Sequence, residues 1–365
     1  MITARVGFAA RRASTGAQHR GFAAVGAANL EWRNLGFDFI PTNGFQQVEC
    51  KDGQWGEGVF KAEHSISVHP MANVLHYGQS LFEGFKTFHT KDGAVKTFRD
   101  DLSYQRMAHG AKRLHMQFPT KEVWESAIDH AIKQNLEYVP PYGTGASLYV
   151  RPFLFGSGPK LGLGPSPEYT FCVLVCPVGS YYKTVGLQPV KGLVASEFDR
   201  VAPRGIGDCK AAGNYAADLD SMHHCQKMGF PIALYLDSAQ HKYVEEFNTS
   251  NFVAITKDGK YVTTNSPRTV LNSVTNRSLC EMAEKDFGMA VERRDIDFEA
   301  EVDTWQEVGA VGTAVVITPI ESLQRGDKVH SFSAPETLQK LHDRYLEIQR
   351  GELPDNHGWM RTVVP

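Results

Sequence analysis

Gly205-Ile206-Gly207-Asp208-Cys209-Lys210-Ala211-Ala212-Gly213-Asn214-Tyr215 is the stretch whose reading decides the fold of this chain. Glycines and alanines flank Lys210, a helical pattern starts directly after it, and a phenol follows at Tyr215. A lysine on a solvated surface needs no such neighbours. An amine confined among small residues has room beside it for a flat group, and once desolvated it can lose its proton and attack a carbonyl. A second stretch, Val244-Glu245-Glu246-Phe247-Asn248-Thr249-Ser250-Asn251, ends a strand pattern in paired acids and small polar residues.

Downstream of Lys210 helices and strands alternate. The spacing predicts a helix over 214–228 stopped at Gly229 and strands at 232–236 and 242–245. A hairpin follows at Lys257-Asp258-Gly259, then a helix over 275–287, a strand at 311–317 and a helix over 334–349. Upstream, residues 31–178 read as a separate unit. A strand follows Gly78, Lys91-Asp92-Gly93 turns the chain back into 95–98, and Arg99 closes that strand. Helices follow from Asp100-Asp101 and over 121–136, then apolar strands at 147–155 and 169–178. Residues 179–191 lose periodicity and read as a linker. The expected fold class is α/β (α+β) in two units, a smaller one at 31–178 and a larger one at 192–365.

Composition bounds the rest. The chain has 365 residues, with 42% hydrophobic and 22% charged, ordinary for a globular protein with two sizeable cores. No apolar run is long enough to cross a bilayer. A net charge of −3 gives no reason to expect nucleic acid as a partner. Residues 1–30 carry Arg5, Arg11, Arg12 and Arg20 with Ser14 and Thr15, and no acid precedes Glu31. That is the composition of an organelle transit peptide, with the mitochondrion expected and the plastid as alternative. The six cysteines form no Cys-x-x-Cys pair, so metal and dithiol chemistry lack support. Cys172 and Cys176 read as core, and Cys209 as a small buried filler beside Lys210.

Four features then need one explanation: Lys210, Tyr215 about one helical turn on, Glu246, and two anion-friendly places. These are Arg99 and Asn272-Ser273-Val274-Thr275-Asn276, where a helix opens with unpaired N–H groups. An imine-forming amine, a phenol donor, a carboxylate and a phosphate cradle together describe a site for pyridoxal 5'-phosphate.

At these residues the chain resembles a known family. Gly207 to Lys210, Gly213-Asn214-Tyr215, Glu245 to Asn251 and Gly312-Thr313-Ala314 are similar to the motifs of the branched-chain amino acid aminotransferases, class IV, fold-type IV pyridoxal phosphate enzymes. Leu75 to Gly84 and Leu148-Tyr149-Val150-Arg151-Pro152 match as well, so the resemblance spans about residues 30 to 350. It implies an N-terminal α+β sandwich domain and a larger C-terminal α/β pseudo-barrel, assembled as a homodimer. It also implies reversible transamination of L-leucine, L-isoleucine and L-valine with 2-oxoglutarate.

Carried over by position, the resemblance makes Lys210 the lysine that joins the cofactor and moves the substrate's proton. Tyr215 meets the cofactor's phenolic oxygen and Glu246 its pyridine nitrogen. Arg99, Val274, Thr275 and Thr313 hold the phosphate. Backbone N–H groups of Thr313 and Ala314, with Tyr77, take the substrate carboxylate. Phe82 and Tyr149, with Phe37 and Phe39, line the side-chain pocket. Arg151 meets the distal carboxylate of glutamate, although the residues alone also allow a strand-end ion pair there. Val315-Val316-Ile317-Thr318 stands where some relatives carry a Cys-x-x-Cys redox pair, and Phe247 departs from the smaller residue common beside the acid. D-amino acid aminotransferase and aminodeoxychorismate lyase share Lys210 and Glu246 and are the alternatives within the class. A catalytically silent binding protein is the alternative outside it.

Overall fold

The structure is a computed structural model that describes residues 23–179 and 187–365. Most of the expected transit segment, and the middle of the expected linker, lie outside the described residues. Two nine-stranded sheets organise the chain.

The first sheet gathers β1 (Phe45–Lys51), β2 (Gln54–Trp55), β3 (Val59–Lys61), β4 (Ser80–Phe82), β5 (Phe85–His89), β6 (Val95–Phe98), β7 (Ser147–Gly156) and β8 (Glu168–Val178), all paired antiparallel. A short helix, α1 (Asn73–Tyr77), precedes β4, while α2 (Asp100–Arg113) and α3 (Lys121–Lys133) pack on the sheet. The buried positions of α3, Trp124, Ala127, Ile128, Ala131 and Ile132, recur at the helical period. They meet Val150, Leu154, Phe171 and Val173 from the strands, with Trp124 stacked on Phe171 at 5.5 Å. Thr120 caps the helix by accepting from the Val123 N–H.

The second sheet holds β9 (Val190–Val194), β10 (Ile232–Leu236), β11 (Val244–Phe247), β12 (Ser250–Thr256), β13 (Tyr261–Thr264), β14 (Val291–Arg294), β15 (Trp305–Gly312), β16 (Val316–Arg325) and β17 (Lys328–Ser331). Because β11 pairs with both β10 and β12, the path β11-β10-β9-β16-β15-β12 closes on itself like a barrel. β9 runs parallel to β10 and β16, so the sheet is mixed. The helices of this half are α4 (Ala212–Ala217), α5 (Leu219–Lys227), α6 (Val274–Lys285), α7 (Phe298–Glu301) and α8 (Glu336–Gln349). Leu279, Met282, Leu338 and Leu341 of α6 and α8 close over Val253, Val311 and Ile317.

Three expectations are corrected. The strand expected at 311–317 is a hairpin: β15 ends at Gly312, residues 313–315 turn, and β16 starts at Val316, a reversal that an unbroken apolar run does not signal. The helix expected over 214–228 is broken at Asp218, whose buried carboxylate accepts from the Tyr235 hydroxyl. Periodicity does not sense a polar tether of that kind. The expected second unit at 192–365 also gives up its end. The last strand, β18 (Met360–Val364), returns to the first sheet and pairs with β6. That covers an edge strand, and Arg361 secures it by ion pairs of 2.8 Å to both Asp100 and Asp129.

Candidate active site

Lys210 lies where the two sheets meet. Its backbone is pinned to the first: Ala211 bridges Leu81, and the Lys210 carbonyl accepts from the Phe82 N–H at 3.1 Å. Cys209 and Ala211 are buried in the first sheet's core, and burial pushes the Cys209 thiol up to about 12, so it packs as an inert filler. Gly207 is required by contact, because a Cβ there would stand 2.3 Å from the Thr269 carbonyl oxygen. The Lys210 side chain reaches outward. Its Nζ donates to Tyr215 Oη at 2.9 Å and stands 4.7 Å above the Phe82 ring, which meets the Tyr215 ring edge-on.

Glu246 comes from β11 of the second sheet and is buried. Its Oε1 accepts from Arg200 at 2.6 Å and from the Leu271 N–H at 3.0 Å, and its Oε2 accepts from Asn251 Nδ2 at 2.7 Å. Burial pushes this carboxyl up; Arg200, then the two other donors, pull it back toward the charged form. Arg200 also donates to the Thr269 carbonyl at 2.6 Å, so one guanidinium ties Glu246 to the loop that Gly207 touches. Glu245, the other half of the acid pair, does not line the cleft, and burial pushes its carboxyl up to about 7.

Between Lys210 and Glu246 opens a cleft of about 630 Å³, a size suited to a cofactor with a small substrate. Its walls include Phe82, Tyr149, Arg151, Thr313 and Ala314, with Phe37 edge-on to Tyr149 at 5.2 Å. Arg151 donates to Tyr149 Oη at 3.1 Å and lies over the Phe82 and Tyr149 rings at 5.0 and 5.1 Å. Gly84 makes room for that arrangement, since a Cβ there would sit 1.8 Å from Tyr149 Oη. At one end α6 begins. Its cap, Ser273, lines the cleft, while Val274 and Thr275 border a crevice that shares Gly84 and Thr313 with it. The first-turn N–H groups of such a helix have no partner within it and favour an anion.

An amine held by a phenol, opposite a buried carboxylate and beside a helix start, is the arrangement the motifs anticipate. Residues 80–323 match the family described as amino-transferase class IV. A branched-chain-amino-acid aminotransferase of Haemophilus influenzae is 38% identical over 344 residues, which cover 92% of this chain and 99% of that protein. The chain belongs to the class IV aminotransferases. A chloroplastic branched-chain-amino-acid aminotransferase of Arabidopsis thaliana is 37% identical, covering 92% of this chain and 86% of that protein. The fold matches that of a Thermobaculum terrenum branched-chain amino acid aminotransferase solved in its PLP form. There the TM-score is 0.71 at 20% identity, with 89% of this chain and 99% of that one covered.

Within this aminotransferase the structure brings most of the anticipated residues together and moves three away. Arg99 does not reach the cleft. It precedes α2 with a left-handed backbone (φ 51°), pairs with Asp101 and Glu281 at 3.5 Å, and lies over the Trp359 ring. Arg106, two turns along α2, lines the cleft instead. It is held by Glu83 at 2.7 Å through both Nε and Nη2, and it donates to the Asn272 carbonyl at 3.2 Å, just ahead of α6. Tyr77 also stands outside the cleft of its own chain, exposed, with its hydroxyl donating to the Leu161 carbonyl. Phe39 is 63% exposed against His64 and takes no part in the lining. The sequence reading missed Arg106 and Arg200, and held Ser273 only as part of the helix-opening stretch 272–276.

Proposed function

We infer that this enzyme moves the amino group reversibly between L-leucine, L-isoleucine or L-valine and 2-oxoglutarate, using pyridoxal 5'-phosphate bound in the cleft. The observation that carries the reading is the Lys210–Tyr215 pair facing an Arg200-backed Glu246 across a cleft walled by aromatic rings and one arginine.

The residues fit the cofactor. Each end of the cleft offers one of its chemical needs: a carboxylate for a ring N–H, a phenol for a phenolate, and donors for a phosphate. Two buried polar atoms on the wall, Arg151 Nε and Asn248 Oδ1, have no hydrogen-bond partner among the described residues, as expected of a surface made for a polar ligand. When bound, pyridoxal phosphate supplies an electron-poor ring that accepts the electron pair left on the substrate Cα.

The chain's own groups do the rest. Lys210 Nζ, steered by Tyr215, would be the base that takes the Cα proton, passes it to the cofactor carbon that bears the amino nitrogen, and carries it back to Cα in the reverse direction. Glu246, unable to swing because three donors hold it, keeps a fixed negative charge against the ring nitrogen. Arg106, Thr313 and the opening turn of α6 through Val274 and Thr275 hold the phosphate, with Arg106 taking the part expected of Arg99. Thr313 and Ala314 receive the substrate α-carboxylate. Phe37, Phe82 and Tyr149 accept a branched apolar side chain, and Arg151 at their rim receives the distal carboxylate of glutamate. Leucine, D-alanine and aminodeoxychorismate presented in parallel test the reading: turnover of leucine is expected, and turnover of only the other two would overturn it.

The same proposal includes a homodimer. Leu75, Tyr77, Leu161 and Leu163 are exposed on α1 and the 159–164 loop, with Leu161 and Leu163 at 79% and 83%. Burying each leucine against a second copy is worth about 1.5–3 kcal/mol. It would also give Tyr77 a cleft to reach, that of the partner. A Leu161→Asp, Leu163→Asp variant should sediment as a monomer with raised KM. A wild-type protein that is monomeric and fully active would remove the idea. We place the working boundary between the two units at 179–191. Residues 1–30 are read as directing the chain to the mitochondrion, to be checked by sequencing the N-terminus of protein recovered from that organelle.

A further inference from the structure

One basic group near the cleft has no role in this scheme. Lys86, on β5 of the first sheet, sends its Nζ across to the second sheet, where it donates to the Ala314 carbonyl oxygen at 2.8 Å. No acid pairs with it among the described residues. Its titratable neighbours are Arg350 and His342, both from the α8 region. Burial, with Arg350 adding to it, pushes this ammonium down to about 8. A cation kept in such a place without a counter-charge, at that cost, points to a task.

The turn it grips is strained. Gly312 pairs with Val316 across the hairpin of β15 and β16, and Val316 is left-handed at φ 70°. A β-branched residue rarely adopts that backbone, which persists only where the surroundings hold it. Thr313, Ala314 and Val315 lie between those two residues and all three line the cleft. In a trans peptide the N–H points opposite to the C=O. Drawing the Ala314 carbonyl toward the first sheet therefore turns the Val315 N–H the other way, and polarises it.

We propose that Lys86 is a positioning residue for the substrate α-carboxylate. By clamping the Ala314 carbonyl it holds the strained 313–316 turn in the one arrangement that presents N–H donors to the cleft. It also lends that subsite a positive charge that no acid among the described residues neutralises. This rests on the reading of Thr313 and Ala314 given above. Every amino acid and 2-oxo acid substrate shares the α-carboxylate, so the effect falls on all of them alike.

The test uses holoenzyme carrying Lys86→Met or Lys86→Arg. Losing a charge-assisted hydrogen bond should raise KM for both L-leucine and L-glutamate about tenfold or more. The kcat should stay within about threefold, because the amine chemistry at Lys210 is untouched. Binding of 4-methylvalerate, a branched acid with no amine to react, should weaken in parallel by calorimetry. The visible absorbance of the bound cofactor should persist, and Lys86→Arg should recover most of the affinity. Unchanged 4-methylvalerate binding in Lys86→Met overturns the proposal. So does a KM increase confined to glutamate, or loss of the cofactor's absorbance. Failure of the underlying function reads differently: there the wild-type protein itself would not turn over leucine.

Discussion

Replacing Lys210 by alanine should lower kcat for leucine by about 10²–10⁴-fold or more, the scale of a positioned proton-transfer group, while leaving the fold intact. The two halves of that expectation come from different parts of the residue. The backbone of Lys210 does the structural work, through its bond to Phe82 and the Ala211–Leu81 bridge, and alanine keeps both. The side chain makes one hydrogen bond, to Tyr215. Its loss is worth on the order of 1 kcal/mol, or about 2–4 °C in melting temperature for a domain of 150–250 residues. Lys210→Arg should be as inactive, since a guanidinium does not give up its proton in this range. Wild-type protein should show visible absorbance that borohydride abolishes, and Lys210→Ala should lack it. Activity within tenfold of wild type in either variant would remove Lys210 from the chemistry.

How far the sequence foretold this site depends on what kind of signal each residue leaves. Lys210, Tyr215 and Glu246 sit inside runs of small or polar residues whose composition is itself unusual, and the structure brings all three to one cleft. Arg99 was the more visible arginine because it closes a strand just ahead of a helix. Arg106 hides within α2, yet its phase gives it away: Leu102, Ser103, Arg106, Met107 and Gly110 share the buried stripe. An arginine on the apolar face of a helix is costly unless something holds it, and here Glu83 does. Applied to α2, that reading would have found Arg106 without a structure. Arg200 and Lys86 left no such trace. One lies in a loop with no period, and the other sits in a strand where a lysine on the outward face is ordinary. Only tertiary pairing, with Glu246 in one case and the Ala314 carbonyl in the other, reveals them. Tyr77 marks a different limit, because its motif is legible but the structure leaves the side chain exposed, outside the cleft of its own chain. Among the larger features, the alternating pattern after 190 foretold a unit of helices and strands, whereas the return of β18 depends on an edge some 260 positions earlier in the chain, beyond any local pattern.

The second large effect falls on Glu246, and there stability and catalysis should separate. Removing the carboxylate in Glu246→Ala leaves the Arg200 guanidinium buried without its ion-pair partner, hydrogen-bonded to the Thr269 and Gly207 carbonyls and with Glu245 and Asp218 as its remaining acidic neighbours. Breaking a buried pair from one side typically costs about 3–5 kcal/mol, because the surviving charge is uncompensated. Glu246→Ala is therefore expected to lose both cofactor and thermal stability. Glu246→Gln keeps the shape and can still accept from the Leu271 N–H, so it should fold with a smaller loss. On the proposed function, what it removes is the negative charge that would face the ring nitrogen, and kcat should fall by about 10²–10³-fold, the scale of one lost preorganised electrostatic contact. A Glu246→Ala, Arg200→Met double variant discriminates further. If the stability loss comes from the orphaned guanidinium, the double variant should melt above Glu246→Ala despite carrying one more substitution, and it should remain as inactive. Should the double variant melt lower than Glu246→Ala, Arg200 would be stabilising the loop at Thr269 on its own account rather than through Glu246. A wild-type kcat in Glu246→Gln would show that the ring nitrogen needs no charge from this side chain.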